Sequence, residues 1–309
     1  MNTSIMLKAN GKLLLSGEYL VLNGAKALAF PICFGQEMNV EFIAEPKLIF
    51  KSTENNQEWF NVSFSLPNLD ITNTSNNSIA IELKNILLSA QSLNNEFLST
   101  HSGYSININA NYPLKFGFGS SSTLISLIAR WAKVNEYALF KRVSNGSGFD
   151  IACATQDSPI FYQLVNETPV ITKAKIGNGI KRHCIFAYLG NKQNSKEEVE
   201  RYKKYEKPSQ NIIDRISKLT KVMCEASNAI KLIESIIEHE EILSSIINKP
   251  VLNDHERFYN FNGSIKSLGA WGGDFAMFVA AEPLYIIRNE IKKLGIKTMF
   301  SFDELKIKA

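Results

Sequence analysis

"PLKFGFGSSSTLISLIARWAKV", Pro113 to Val134, is the stretch on which the reading of this chain turns. Gly117 and Gly119 stand beside Ser120, Ser121 and Ser122, and an apolar-periodic run follows at once. That run predicts a helix over about Ser121 to Val134, so flexible residues and hydroxyls sit against a helix start. Glycine lets the backbone approach a ligand closely and take φ > 0. The first helical turn leaves N–H groups without intrahelical partners and carries the positive end of the helix dipole. Together these make a cradle for an anion, and serine hydroxyls suit phosphate oxygens or a magnesium ion. A plain strand-to-helix turn with a serine cap fits the same letters. No G-K-[ST] follows, so this is not a Walker loop.

Two further glycine-rich loops favour the chemical reading. "NGSGFDIACA" runs from Asn145 to Ala154, and "KSLGAWGGDFAMF" from Lys266 to Phe278 leads into a strand. Composition narrows the class. The 309 residues, 45% hydrophobic and 21% charged, suit a globular protein with a substantial core. A net charge of +4 and mixed-sign runs such as "KEEVERYKKYEK" (Lys196 to Lys207) argue against a nucleic-acid partner. Cys33, Cys153, Cys184 and Cys224 are far apart, with neither zinc-ligand spacing nor a disulfide framework, which suits a reducing cytoplasm. The N-terminal stretch has no signal-peptide core, and no apolar run is long enough to span a membrane. His101, His183, His239 and His255 lack metal-ligand spacing and receive no chemistry.

The first third alternates with strand period in "SIMLKA", "GKLLLSG", "MNVEFIAE", "KLIFKST" and "WFNVSFSL". "NLDITNTSNNS" reads as an exposed loop, and Asn77 to Leu93 as a helix with Ser78 at its cap. "GYSININANYP" returns to strand, and "SPIFYQL" with "VITKAKI" reads as a hairpin. Composition shifts near Lys175 to Arg182. Beyond it come the strand "HCIFAYLG", long helices from Ser195 to Asn248, the strand "FAMFVAA", a helix from about Pro283 to Leu294 and a strand near Met299. The expectation is an α+β protein in two domains, 1–178 and 179–309.

Motif matches that lie in order from Gly11 to Phe278 carry a resemblance to the GHMP-family small-molecule kinases, in the mevalonate-kinase and phosphomevalonate-kinase branch. "KANGKLLLSGEYLVLNGAKALAFP" (Lys8 to Pro31) resembles the first motif, P-G-K-hhh-x-G-E-[YH]-hhh. "PLKFGFGSSSTL" resembles the second, P-x-x-x-G-L-G-S-S-A, and "LGAWGGDFAMF" the glycine-rich third. "YLGNKQNSKEEV" (Tyr188 to Val199) is similar to a T-G-x-x-x-S-T segment of the branch. "NGSGFDIA" and a third motif ending in G-G-D resemble the phosphomevalonate-kinase form, "SGAGGGDC" in the third motif. The sequence departs from the patterns at Asn10, Leu268 and Trp271, and Leu139 stands where mevalonate kinases place a magnesium-binding Glu. Glu136, one turn earlier, is a candidate substitute. A Trp in a loop that hugs phosphates is expected to narrow or reshape the site.

The resemblance implies a ribosomal-protein-type N-terminal domain with a left-handed βαβ crossover, a ferredoxin-like C-terminal domain, and a cleft where ATP and substrate meet. It implies that Pro113, Lys115, Gly117, Gly119, Ser120, Ser121 and Ser122 hold the nucleotide, with Ser121 a ligand to Mg2+. Asp150 would orient or deprotonate the acceptor, and Lys12 would lie beside it and stabilise charge on the transferring group. Ser16, Glu18, Gly148, Ser195, Gly269, Ala270 and Gly272 are the expected substrate side. A structural ion pair for Glu18, a helix cap for Ser195 and an exposed strand position for Lys12 are the competing readings. The acceptor is phosphomevalonate or mevalonate, a sugar or homoserine keeping the same fold, or none in a catalytically weak nucleotide-binding relative. The expected partner is a small molecule, with no nucleic acid and no membrane, for a monomer or homodimer in the cytoplasm.

Overall fold

The structure is a computed structural model and describes residues 4–99, 102–190, 195–271 and 273–308. In chain order the strands and helices begin with β1 (Ile5–Ser16), β2 (Ala27–Ile43), β3 (Lys47–Glu54), β4 (Gln57–Ser65), β5 (Asp70–Thr74), α1 (Asn77–Leu93) and β6 (Gly103–Ala110). They continue with α2 (Ser120–Trp131), α3 (Glu136–Val143), α4 (Phe149–Thr155), β7 (Ile160–Val165), β8 (Thr168–Lys173), α5 (Asn178–His183) and β9 (Cys184–Tyr188). The last third holds α6 (Ser195–Tyr202), α7 (Gln210–Glu225), α8 (Ala229–Ile247), β10 (Ser264–Leu268), β11 (Phe275–Val279), α9 (Leu284–Lys293), β12 (Met299–Ser301) and α10 (Phe302–Leu305). The class is mixed α+β, as the sequence predicts. Among the described residues no helix is long and apolar enough to cross a membrane.

The chain forms two compact units. The first contains 1–11, 34–114 and 118–155; the second contains 12–33, 115–117 and 156–309. Neither is a single run of sequence, because β1 and β2 each pass from one unit into the other along the chain.

In the first unit the strand order is β5-β4-β3-β6-β2. Its β3 and β6 are parallel, and the other pairs are antiparallel. Alternation turns Leu48 and Phe50 of β3, Phe60, Val62 and Phe64 of β4, and Ile106 and Ile108 of β6 to one face. On that face lie Leu83, Leu87 and Ala90 of α1 and Ile125 and Ile128 of α2, at helical spacing. In the second unit the N-terminal part of β2 pairs with β7, which forms a hairpin with β8. A separate antiparallel sheet runs β10-β11-β9-β12, with Ile185, Ile265, Phe278 and Ile287 in its core.

Several local expectations change. The two short N-terminal strands are one, because β1 continues through Asn10 and Gly11. The polar stretch expected to be an exposed loop contains β5, which pairs with β4 at a sheet edge. An edge strand needs little apolar content, so its polarity concealed it. The cap of α1 is Asn76, whose side chain accepts from the Ile79 N–H at 3.2 Å, and Ser78 lies within the first turn. Lys266 to Leu268, read as the start of a glycine-rich loop, belong to β10 (Ser264–Leu268).

The parallel pair depends on Gly103. A Cβ there would run into the carbonyl oxygens of Glu45 and Lys47. Gly103→Ala is expected to lower stability by about 1–3 kcal/mol, the range for forced overpacking, read from the urea midpoint.

Candidate functional site

In the first unit, Phe118 is fully buried and stacks on Phe34 at 5.5 Å between ring centres, with Tyr112 at 5.4 Å. This aromatic anchor sets the chain immediately before Gly119, which takes φ 94° and caps α2. Only glycine adopts such a φ without strain. The serines that follow do not share one role. Ser121 is exposed and Ser120 half-buried, while Ser122 and Thr123 turn inward. Thr123 Oγ1 donates to Gln36 Oε1 at 2.6 Å. Ser122 Oγ donates to Asp150 Oδ2. One turn on, Ser126 Oγ donates to Glu136 Oε1 at 3.2 Å.

Asp150 lies in the first turn of α4, after the buried Gly148 at φ 84°. Its second oxygen accepts from the Ile151 N–H at 3.1 Å. Glu136 opens α3, and burial pushes its carboxyl up, opposed by the Ser126 hydrogen bond and the Arg130 charge. Leu139 is 0% exposed and belongs to the core. Its position therefore offers no ligand, and the Glu136 carboxylate is engaged with Ser126. Among the described residues no cluster of three or more His, Cys, Asp or Glu could hold a metal. The oxygen donors that fit magnesium in this unit are the exposed Ser121 hydroxyl and the Asp150 carboxylate. Magnesium takes such sparse protein ligation when phosphates and water complete its shell.

In the second unit, Lys12 is half-buried and its Nζ donates to the Gly117 carbonyl at 3.0 Å. Gly117 takes φ 69°, and a Cβ on it would strike the Asp274 carboxylate. Phe116 packs beside Tyr188 and Phe275, with ring centres 4.8 and 5.8 Å away. Lys115 is exposed, and Pro113, counted with the first unit, is half-buried.

The end of β1 is built into the second unit's interior. Ser16 is fully buried, with Oγ 2.7 Å from Thr220 Oγ1 on α7. Glu18 is 1% exposed and pairs through Oε1 with Lys266 Nζ at 2.7 Å. Of its two expected roles, the geometry matches the ion pair. Lys266, at 0% exposure, also donates to Glu240 Oε1 at 3.1 Å and the Ser267 carbonyl at 3.0 Å. Glu240 Oε2 accepts from the Ser267 N–H at 3.0 Å. His239 Nε2 accepts from the Gly17 N–H at 3.2 Å, and its Nδ1 faces Glu240 Oε1 at 3.4 Å. A ring accepting at Nε2 is neutral, with its proton on Nδ1. Burial and then the Lys266 charge lower the His239 pKa to about 3, with Glu18 opposing. Burial works against charge on Lys266, but Glu18 and Glu240 outweigh it and hold the ammonium above its ordinary value.

Sequence reasoning missed Lys266, His239 and Glu240. A signal existed for two of them: His239 and Glu240 share the inner face of α8 with Leu232, Ile236 and Leu243. Lys266 carried none beyond being a lysine inside a short apolar strand.

In the third loop Gly269 takes φ 73° and Ala270 is half-buried. Trp271 is 4% exposed; its backbone N–H donates to Tyr19 Oη at 2.9 Å and its indole N–H to the Pro250 carbonyl at 2.9 Å. Of the two expected effects, narrowing by the ring itself does not fit: the indole is used inward, as part of the unit's packing. Tyr19 and Tyr202 lie 5.2 Å apart, and Glu198 of α6 pairs with Lys249 at 2.7 Å and Arg201 at 3.0 Å. Ser195 opens α6, and its side chain, like Gly272, lies outside the described residues.

No family model matches this chain, and no curated protein matches it. Solved structures do. The Methanococcus jannaschii mevalonate kinase aligns with a TM-score of 0.70 at 17% identity, over 99% of each chain. The Streptococcus pneumoniae phosphomevalonate kinase in complex with phosphomevalonate and AMPPNP aligns at 0.70 and 19% identity, over 96% of this chain and 100% of that one. The Lactococcus lactis galactokinase complexed with galactose aligns at 0.68 and 11% identity, over 98% and 93%. The chain has the fold of these kinases.

Trp271→Ala removes a large buried ring and leaves the Pro250 carbonyl without its donor. A loss of about 3–5 kcal/mol in urea unfolding is expected. The histidine makes a pH prediction. Its folded pKa of about 3 lies below the ordinary 6.5, so the unfolded chain binds the proton more tightly between those values. The His239 contribution to stability is therefore undiminished above about pH 6.5 and is lost as pH falls towards about 3. Wild type is expected to lose stability relative to His239→Gln between about pH 7.5 and about pH 5, measured by paired urea titrations.

Proposed function

We propose that this chain is an ATP-dependent kinase of the GHMP type, acting on phosphomevalonate first and mevalonate second. One observation carries the reading: a left-handed Gly119 delivers the chain to a serine-bearing helix N-terminus, and a carboxylate, Asp150, is hydrogen-bonded to that same turn. Free N–H donors and the dipole of α2 favour the nucleotide phosphates, and glycine permits their close approach. The fold, shared with kinases that act on small molecules, supports the same conclusion. The G-S-G-F-D-I-A and G-G-D segments resemble the phosphomevalonate-kinase form, which favours the phosphorylated acceptor.

Phosphoryl transfer asks for positioning and charge neutralisation. The α2 turn, with Ser121 exposed and Ser120 half-buried, serves the phosphates. Ser121 would join the phosphates in holding magnesium, which would supply charge neutralisation. Asp150 orients the acceptor oxygen and, for an alcohol, takes its proton as the oxygen attacks the γ-phosphorus and the bond to the leaving ADP breaks. A phosphate acceptor arrives largely ionised, so Asp150 then acts chiefly by positioning. Lys12 contributes the positive charge that stabilises the transferring group.

A coupled ADP-release assay over phosphomevalonate, mevalonate, galactose and homoserine tests the reading; magnesium-dependent turnover on either of the first two is expected. Gly119→Val is expected to weaken ATP binding at least about tenfold in a folded protein, measured by calorimetry. Asp150→Asn is expected to lower turnover on mevalonate by about 10²–10⁴-fold while ATP affinity stays near wild type. Full activity in that variant removes Asp150 from the mechanism.

A further inference from the structure

Ser122 stands where the motif it resembles ends in alanine, so that motif assigns its hydroxyl no role. The three serines occupy successive helical positions, each turned about 100° from the last, and cannot all face one ligand. Ser121 is exposed, whereas Ser122 is 6% exposed and faces α4. A serine hydroxyl has one proton to give. That of Ser122 is given to Asp150 Oδ2. Phosphate oxygens only accept, so Ser122 has no donor left for a nucleotide.

The other half of the carboxylate is held too, because Asp150 Oδ1 accepts from the Ile151 N–H at 3.1 Å. One bond comes from α2 and the other from Asp150's own helix, so the plane of the carboxylate is set by two directions. An ionised carboxylate has about four lone-pair sites. Two are used here, and one on each oxygen remains for an acceptor proton or a cation. The helix that carries Asp150 has seven residues and is held by packing, with Ile151, Ala152, Cys153 and Ala154 buried. Among the described residues the Ser122 hydroxyl is the side chain that ties the Asp150 carboxylate to α2.

We propose that Ser122 is a positioning residue: its hydroxyl fixes the Asp150 carboxylate for the acceptor and takes no part in binding nucleotide. The proposal rests on the kinase reading above, with Asp150 at the acceptor. It also divides the hydroxyl block by task, leaving Ser120 and Ser121 to the phosphates.

The test uses the full chain with the acceptor that the panel identifies. Ser122→Ala is expected to lower kcat by about 10- to 10²-fold, with the KM and calorimetric Kd for ATP within about twofold of wild type. Ser122→Thr keeps the donor and should recover most of the lost turnover. Ser122→Cys keeps the volume with a weaker donor and should fall between, which preserves the test if the alanine variant folds poorly. In an Asp150→Asn background, Ser122→Ala should cost little more, because the residue acts through that carboxylate. A raised KM for ATP with kcat unchanged would make Ser122 a phosphate ligand and overturn the proposal. So would an equal fall in kcat with and without the Asp150 carboxylate. A wild-type chain that releases no ADP with any acceptor defeats the kinase reading itself, a result distinct from either.

Discussion

A lysine ammonium with no access to water governs the second unit. Lys266 sits in the middle of β10, and a charge there is tolerable only when paired and hydrogen-bonded. Two of its partners come from distant parts of the sequence, Glu18 after β1 and Glu240 on α8, and the third is the neighbouring Ser267 carbonyl. Satisfying one ammonium therefore brings together the first glycine motif, a long helix and the strand that leads to the third. His239 extends the arrangement by accepting the Gly17 N–H, which the positive φ at Gly17 presents inward. Removing one member of such a set leaves a buried charge uncompensated, at a cost of about 3–5 kcal/mol. The network is a constraint more than a source of stability, since a well-packed apolar substitute for the whole set would serve as well energetically.

The first unit handles its polar groups by a different device. The inner face of α2 carries Ser122, Thr123 and Ser126, and each hydroxyl finds an acceptor on another element: Asp150 on α4, Gln36 on β2 and Glu136 on α3. Buried hydroxyls without partners would destabilise the unit, so these bonds position three elements around one helix. The consequence is chemical. A carboxylate that would otherwise rotate is fixed beside the helix end where an anion is favoured.

The departures from the motif patterns become intelligible in this setting. Leu139 is core, and its loss of a carboxylate is a gain in packing for α3. Trp271 is bonded at both its N–H groups, to Tyr19 and to Pro250, so the third loop is tied to the segment after β1 and to the segment after α8. A bulky residue in a glycine loop is compatible with ligand binding when the ring is directed inward and only the backbone remains on the loop.

What was legible in the sequence was what depends on near neighbours. The period of two in β3, β4 and β6, the period of 3.6 in α1 and α2, and the glycines at 117, 119, 148 and 269 announce strands, helices and left-handed turns, because those are set by local sterics and local patterning. The order of the glycine loops also pointed to the fold. Local patterning could not reveal β5, whose polar residues become a strand only because β4 lies beside it, nor β10, whose lysine is buried only because two carboxylates meet it. Nor could it separate Ser121 from Ser122. Their letters are the same, and only the packing of α4 against α2 decides which hydroxyl faces water and which holds Asp150. Burial and pairing are properties of residues far apart in the chain, and no window of sequence contains both partners.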